Sequence, residues 1–157
     1  MLLSLAALLP IVLALPFTNT STASCTSQQW AIEGFSTYEA PPGPLKPGTP
    51  AYFNASSLSF RFEDPNTNTS TACIRRLPAG AGGTIADAHH HYPCDDRSVQ
   101  YEYDGEVLVV SHNFPCHGKN IAAFASINGA VHCVDKYGGS QCSTAITEVD
   151  VTPEIIS

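Results

Sequence analysis

The chain has 157 residues, 14 acidic against 7 basic side chains, and a net charge of −7. This length corresponds to roughly one domain, and the acidic balance disfavours nucleic acid or an anionic membrane as a partner, because their phosphates need a basic surface. All six cysteines follow an apolar leader, an order typical of an exported protein whose thiols are oxidised to disulfides.

The sequence pattern of residues 1–14 predicts a signal peptide. Their uncharged apolar run is shorter than the ~20 residues that a membrane-spanning helix needs. Val12 and Ala14 supply the small residues that a signal peptidase prefers. We therefore expect cleavage after Ala14, with a later site, up to Ala23, as the alternative.

An uncleaved membrane anchor is the competing interpretation of this segment. Pro10 and the polar stretch over residues 18–24 disfavour it, and no later apolar run is long enough to span a bilayer. We expect a secreted, extracellular protein with no membrane contact in its mature form, and one β-domain over residues 25–157.

Beyond the leader, apolar residues recur at every second position or in short dense runs, which predicts strands and not helices. These stretches are Trp30–Ile32, Leu58–Phe62, Val99–Tyr103, Val107–Phe114 and Ile121–Ile127, with Ala145–Val151 as a last edge strand. Gly34 permits a bulge before Phe35. About seven short strands with turns between them predict an all-β fold, a disulfide-stapled β-sandwich or β-barrel of short antiparallel strands.

Turn residues separate these stretches. Ala40–Pro50 holds five of the twelve prolines and predicts an irregular surface connection. Leu77–Tyr92 predicts a Gly- and Ala-rich loop, while Asp64–Asn68, Asp104-Gly105 and Lys136–Ser140 predict turns. Loops on a rigid scaffold commonly carry recognition, so the Ala40–Pro50 and Leu77–Tyr92 loops are the candidate binding surfaces.

The six cysteines permit fifteen pairings. Two pairs flank a local turn or loop, and the remaining two cysteines then pair by elimination, which gives Cys133–Cys142, Cys73–Cys94 and Cys25–Cys116. A zinc site is disfavoured because the chain has no C-x-x-C pair. A bond from Cys25 to a partner chain stays open as an alternative.

His89-His90-His91 is the most unusual local sequence. In an extended segment, Asp87, His89 and His91 would project to one side, as a three-ligand set for zinc or copper. The competing interpretation, which we favour, is a solvated loop that tolerates histidine, because such a site would lack outer partners to orient its imidazoles.

A secreted hydrolase is the alternative function. Asp95, Asp96, Glu102, Asp104 and Glu106 form an acidic region that could supply paired carboxylates. Turn capping is the favoured interpretation of these residues.

Turns separate three further histidines, so their side chains need not lie together. We expect strand-end or turn positions for His112, His117 and His132. His112 is the alternative acid–base group for a hydrolase. The chain has no nucleophile elbow, zinc-protease helix, phosphate loop or dinucleotide fingerprint. We expect no cofactor.

Three sequons, at Asn19, Asn54 and Asn68, predict surface sites for N-linked glycan on an exported eukaryotic protein.

One ordered combination of motifs resembles a known family. It comprises Cys25, Trp30-Ala31-Ile32, Ser57–Phe62 before Asp64-Pro65-Asn66, Thr71-Ala72-Cys73, Tyr92–Asp96, Val99–Tyr103, Leu108–Val110, Cys116 and the Cys133/Cys142 pair. The combination resembles the small secreted fungal proteins of the Alternaria major-allergen-like family. The resemblance implies an all-β barrel or sandwich, fungal secretion and the two local disulfides.

The resemblance also implies a noncatalytic function. Members of that family are regarded as allergens or as effectors that engage plant defence proteins, and some carry small phenolic ligands. Some are disulfide-linked dimers through a cysteine at the position of Cys25, but Cys116 supplies a sixth cysteine here and favours an internal bridge. We expect a monomer or weak dimer that binds a host protein or a small ligand.

Overall fold

The computed structural model describes residues 25–128, 132–145 and 147–156. In these ranges the chain is almost entirely β-structure, with one short 3-10 helix, Ala51–Asn54, and no α-helix. The strands are β1 (Trp30–Glu39), β2 (Ser57–Asp64), β3 (Thr69–Arg76), β4 (Asp87–Pro93), β5 (Val99–Tyr103), β6 (Val107–Cys116), β7 (Lys119–Asn128), β8 (His132–Lys136), β9 (Gly139–Ser143), β10 (Thr147–Val149) and β11 (Thr152–Ile156).

The strands form two antiparallel sheets. The first has the order β3-β2-β1-β9-β8, with β10 also paired to β1, and the second has the order β11-β7-β6-β5-β4. The sheets do not close into a barrel within the described ranges, so the predicted all-β fold is confirmed in its sandwich form.

A bulge divides β1 into two halves. The register against β2 shifts between Glu33 and Ser36, and Gly34 adopts a φ of 61°, a conformation that glycine adopts without a Cβ penalty. The first half of β1 pairs with β10 and the second half pairs with β9. The bulge expected at Gly34 is therefore present.

The core lies between the sheets and consists mainly of the inward residues that period-two alternation predicts, together with Ile85 from the segment expected to be a loop. Burial of such side chains is the main favourable term in folding. The fully buried apolar side chains are Trp30, Ile32, Leu58, Phe62, Ile85, Val99, Tyr101, Leu108, Val110 and Ile121. Trp30 and Phe62 meet edge to face at 4.9 Å between ring centroids, a favoured aromatic geometry.

The structure forms the three disulfides that the spacing predicts. Cys73 of β3 bonds Cys94 beyond β4, so this bridge links the two sheets through the core. Cys25 bonds Cys116 at the end of β6. Cys133 and Cys142 occupy paired positions of the β8–β9 hairpin. The described part of the chain contains no unpaired cysteine.

Two expectations about elements were wrong. The segment expected to be one loop from Leu77 to Tyr92 ends in strand β4, because its backbone pairs with β5 even though its side chains are mostly exposed and polar. The strand expected over Ala145–Val151 is present as β10, which pairs with β1, but it is not the last one, because β11 follows and pairs with β7. Among the described residues, no helix is long and apolar enough to cross a membrane.

Candidate functional site

The two loops singled out as candidate binding surfaces meet at one end of the sandwich. The Gly43 amide donates a hydrogen bond to the Gly80 carbonyl at 3.3 Å, and the Gly80 amide donates to the Asn54 carbonyl at 2.7 Å. Buried Ser56 joins them, because its hydroxyl donates to the Gly83 carbonyl at 2.7 Å and accepts from the Ala40 amide at 2.9 Å.

We call this surface the loop end. It comprises residues 40–56, residues 77–84 and the β8–β9 turn, Tyr137-Gly138. Its loops pack closely, since a Cβ on buried Gly82 would lie 2.8 Å from the backbone of Pro42. The loop end is therefore an ordered surface, and not a set of independent loops.

An aromatic cluster lies at the centre of the loop end. Phe53, in the 3-10 helix, contacts three other rings, at centroid distances of 5.0 Å to Tyr38, 5.0 Å to Tyr52 and 4.6 Å to Tyr137. Tyr38 is buried, but Tyr52 is 54% exposed and Tyr137 is 44% exposed. Large aromatic side chains left in solvent on a supported surface are typical of binding sites.

The hairpin that presents Tyr137 is rigid and strained. Tyr137 and Gly138 both have positive φ, 53° and 83°, as a two-residue type I′ turn requires. A tyrosine in this region costs about 1–2 kcal/mol relative to glycine. The Cys133–Cys142 bond holds the two strands behind the turn, and a Cβ on Gly139 would clash with the Glu39 carbonyl oxygen and the Tyr38 ring.

Three cations border the aromatic cluster. The Arg76 guanidinium lies 4.7 Å over the Tyr52 ring and donates to the Tyr52 carbonyl at 2.6 Å. Lys136 Nζ lies 5.0 Å from the Phe53 ring centroid. Lys46 Nζ lies beside Gly138, 3.5 Å from the position of a Cβ there. Arg76, Tyr52 and Leu77 also line a cavity of about 470 Å³.

The structure pairs a histidine and a carboxylate, but inside the core. His112 Nδ1 lies 3.0 Å from Asp64 Oδ2, and the two side chains are 2% and 0% exposed. Our expectation of a strand-end or turn position for His112 was wrong, because the residue lies within β6 and faces the first sheet. A substrate has no access to such a pair, so this geometry does not favour the hydrolase alternative.

Asp64 is held by several donors. The Asn66 amide and side chain each donate to Oδ1 at 2.8 Å, and the Thr67 hydroxyl donates to Oδ2 at 3.0 Å. Burial by itself raises the pKa of the Asp64 carboxyl, but the hydrogen bonds from His112, Asn66 and Thr67 outweigh it, so the net pKa is lowered. The group is thus a charged, fully bonded link between the sheets.

Carboxylates of the predicted acidic region cap turns. Asp96 accepts from the Ser98 hydroxyl and amide at 2.7 and 2.9 Å, and these bonds lower its pKa. Asp104 accepts from the amides of Val107 and Glu106 at 2.7 and 2.8 Å, which lowers its pKa likewise. Turn capping, the favoured interpretation, is confirmed for these two residues.

The histidine tract lies on edge strand β4. Asp87 accepts from the Tyr92 hydroxyl at 2.6 Å and lies 3.0 Å from His90 Nδ1, and these two partners lower its pKa. In the described part of the chain, the donor atoms of Asp87, His89 and His91 do not gather within 4.8 Å. The metal set stays a prediction that this geometry does not support.

One compact group of possible metal donors is present among the described residues. It consists of Cys25, Cys116 and His117, and its two sulfurs are joined in a disulfide. A disulfide sulfur is a poor ligand compared with a thiolate, so this group is no metal site in the oxidised protein.

The sequons differ in their surroundings. Asn68 is exposed in the β2–β3 turn, whereas Asn54 is half-buried and the hydroxyl of its sequon serine, Ser56, is hydrogen-bonded in the interior. Asn19 lies outside the described residues, as does the predicted signal peptide.

Sequence reasoning identified the loops but missed the residues that define the loop end. Tyr52, Phe53 and Tyr137 belong to no alternating stretch, so a search for strands passes over them. Their signals were an aromatic pair next to a proline-rich segment, and a tyrosine where a Gly-Gly turn would favour asparagine or aspartate.

No family model, no curated protein and no solved structure compared with this chain matches it.

Proposed function

We propose that this is a secreted, noncatalytic binding protein that recognises a host protein or a small ligand through the loop end. One observation carries the proposal: two loops distant in sequence converge on one surface, where the exposed ring of Tyr52 contacts Phe53 and that of Tyr137 is presented by a strained, disulfide-bonded hairpin. Backbone strain of this kind is found preferentially at functional sites, where the surrounding structure maintains it.

The surroundings of the proposed site agree with this role. The three disulfides are consistent with an extracellular protein, and the resemblance to fungal allergen-like proteins suggests an effector-like activity towards a plant. We propose glycan at Asn68, whose exposed turn lies at the opposite end of β2 from the loop end. Such a glycan would leave the loop end accessible.

The test compares capture from plant extracellular fluid by three immobilised proteins. They are the wild type, the Tyr52→Ser/Tyr137→Asn variant, and a Phe124→Ser control that removes an exposed ring (37%) from β7 of the second sheet. We expect one or more species that wild type and control retain and that the double variant loses.

The same retained set for all three proteins would contradict the proposal, as would losses confined to the Phe124→Ser control. Circular dichroism and thermal unfolding of each protein establish that the variants remain folded.

A further inference from the structure

We propose that the ligand of the loop end is a short acidic oligosaccharide built of uronate units. This inference rests on the proposed function and names its ligand class. It draws on two features that the loop end combines: exposed tyrosine rings and a group of three cations.

The positive charge is concentrated there against the overall balance of the protein. Lys46, Arg76 and Lys136 are three of the seven basic residues of a chain with net charge −7. Among the described residues, no carboxylate lies within 4.0 Å of these three cations, whereas Arg61 pairs with Glu63 at 3.1 Å. The loop end therefore presents cations that are available to an anionic ligand.

The rings provide the second half of the recognition. Tyr52 and Tyr137 both contact Phe53, and about half of each side chain is exposed, so two aromatic rings of one cluster are accessible to a ligand. The C–H face of a pyranose packs on such a ring, and the tyrosine hydroxyls can exchange hydrogen bonds with sugar hydroxyls. A uronate unit adds a carboxylate to the same pyranose ring, so one ligand satisfies both features.

Other ligand classes use only part of this surface. A neutral sugar or an apolar molecule stacks on the rings and places no negative charge near the three cations. An acidic protein segment satisfies the cations, but its carboxylates lie on flexible chains that lack a stacking face and lose conformational entropy on binding.

Two carboxylates at one edge of the loop end limit the length of the ligand. Glu39 and Asp135 line a cavity of about 380 Å³ together with Ala40, Gly83 and Gly138 of the loop end. The Glu39 carboxylate accepts from the Thr84 hydroxyl at 2.6 Å, and Asp135 is exposed. Because exposed charges interact within roughly 10 Å at 0.1 M salt, these carboxylates repel an anionic unit placed beside them. A ligand of a few units can lie on the cations alone, whereas a long polyanion also meets these carboxylates.

The surface also has little conformational freedom to lose. Tyr137 is fixed by its turn and by contact with Phe53, and Phe53 is fixed by Tyr38 and Lys136. Groups that are already ordered lose less entropy on binding, which favours a small ligand with few contacts.

The experiment is isothermal titration of the purified, disulfide-bonded protein with trigalacturonate, and with galactotriose as the neutral counterpart. We expect trigalacturonate to bind at least tenfold more tightly than galactotriose. We expect Lys46→Gln/Lys136→Gln to lose at least tenfold in affinity for trigalacturonate. The control Arg97→Gln/Lys119→Gln changes the net charge equally at exposed sites on other elements and should change affinity less than twofold.

Each remaining outcome overturns the inference. Equal affinity for both sugars removes the acidic requirement, and equal losses in both double variants reduce binding to nonspecific charge. Absence of any sugar binding while tyrosine-dependent capture from host fluid persists excludes a glycan ligand but keeps the proposed function. If the protein binds no sugar and shows no tyrosine-dependent capture from host fluid, both proposals are contradicted.

Discussion

The two ends of β2 show opposite solutions to the placement of polar and apolar groups. At its last residue, Asp64 is a buried charge with every oxygen bonded, and it connects the two sheets through His112. At the other end of β2, the loop end leaves the rings of Tyr52 and Tyr137 in solvent. The buried end links the two sheets, while the exposed end presents the rings that we propose as the binding surface.

Asp64→Ala is expected to have the largest effect on folding. The change leaves His112, Asn66 and Thr67 without their acceptor, and each buried donor left unpaired costs about 1–3 kcal/mol. Urea unfolding at pH 7 measures the loss. Asp95→Ala, which removes an exposed carboxylate, should stay within about 0.5 kcal/mol of wild type.

The acid dependence checks the physical cause of that loss. The pKa of Asp64 is lower in the folded protein than in the unfolded chain, where it is about 3.9. Its contribution is therefore complete above that pH and declines as the pH falls through the folded pKa. The difference between wild type and Asp64→Ala should shrink below pH ~4. A difference that stays constant down to pH 2 would contradict an ionised Asp64 in the folded protein.

Removal of a disulfide should have the next largest effect on stability. Two of the bridges also distinguish the buried link between the sheets from the loop end. Cys73→Ala/Cys94→Ala removes the link between the sheets and should lower the free energy of unfolding by about 3 kcal/mol, with ligand affinity unchanged while the protein is folded. The Cys133–Cys142 bond closes a shorter loop, so Cys133→Ala/Cys142→Ala should lower the free energy of unfolding by less. Its affinity should fall, because the strained turn loses its support. The reverse pattern in chemical unfolding and titration would refute this division.

Tyr137→Asn is expected to have the smallest effect on folding. Asparagine relieves the strain of the positive φ, a gain of about 1 kcal/mol, while loss of the contact with Phe53 costs a similar amount, about 0.5–1.5 kcal/mol. Stability should therefore change by less than about 1 kcal/mol, whereas ligand affinity should fall clearly. A large loss of stability in thermal unfolding would show that Tyr137 serves the fold.

Strands β2, β5, β6 and β7, the two local cysteine pairs and the turn caps were predictable because they depend on local order. Alternation along β2, β5 and β6 fixes which side chains face inward, and turn chemistry positions Asp96 and Asp104. Strand β4 was missed, because its polar residues form a strand only through pairing with β5.

By itself, the sequence determined the all-β class, many of the inward faces and the two local bridges, since periodicity and spacing act over short distances along the chain. The Cys25–Cys116 bridge spans 91 residues and was expected only by elimination, with a bond to a partner chain as the alternative. The tertiary structure decided the rest. The packing of one sheet on the other places His112 against Asp64, 48 residues away, and the alignment of β2 and β9 on the two sides of β1 brings Tyr137 onto Phe53. Such contacts depend on how distant strands align, and neighbouring residues carry no signal for that alignment.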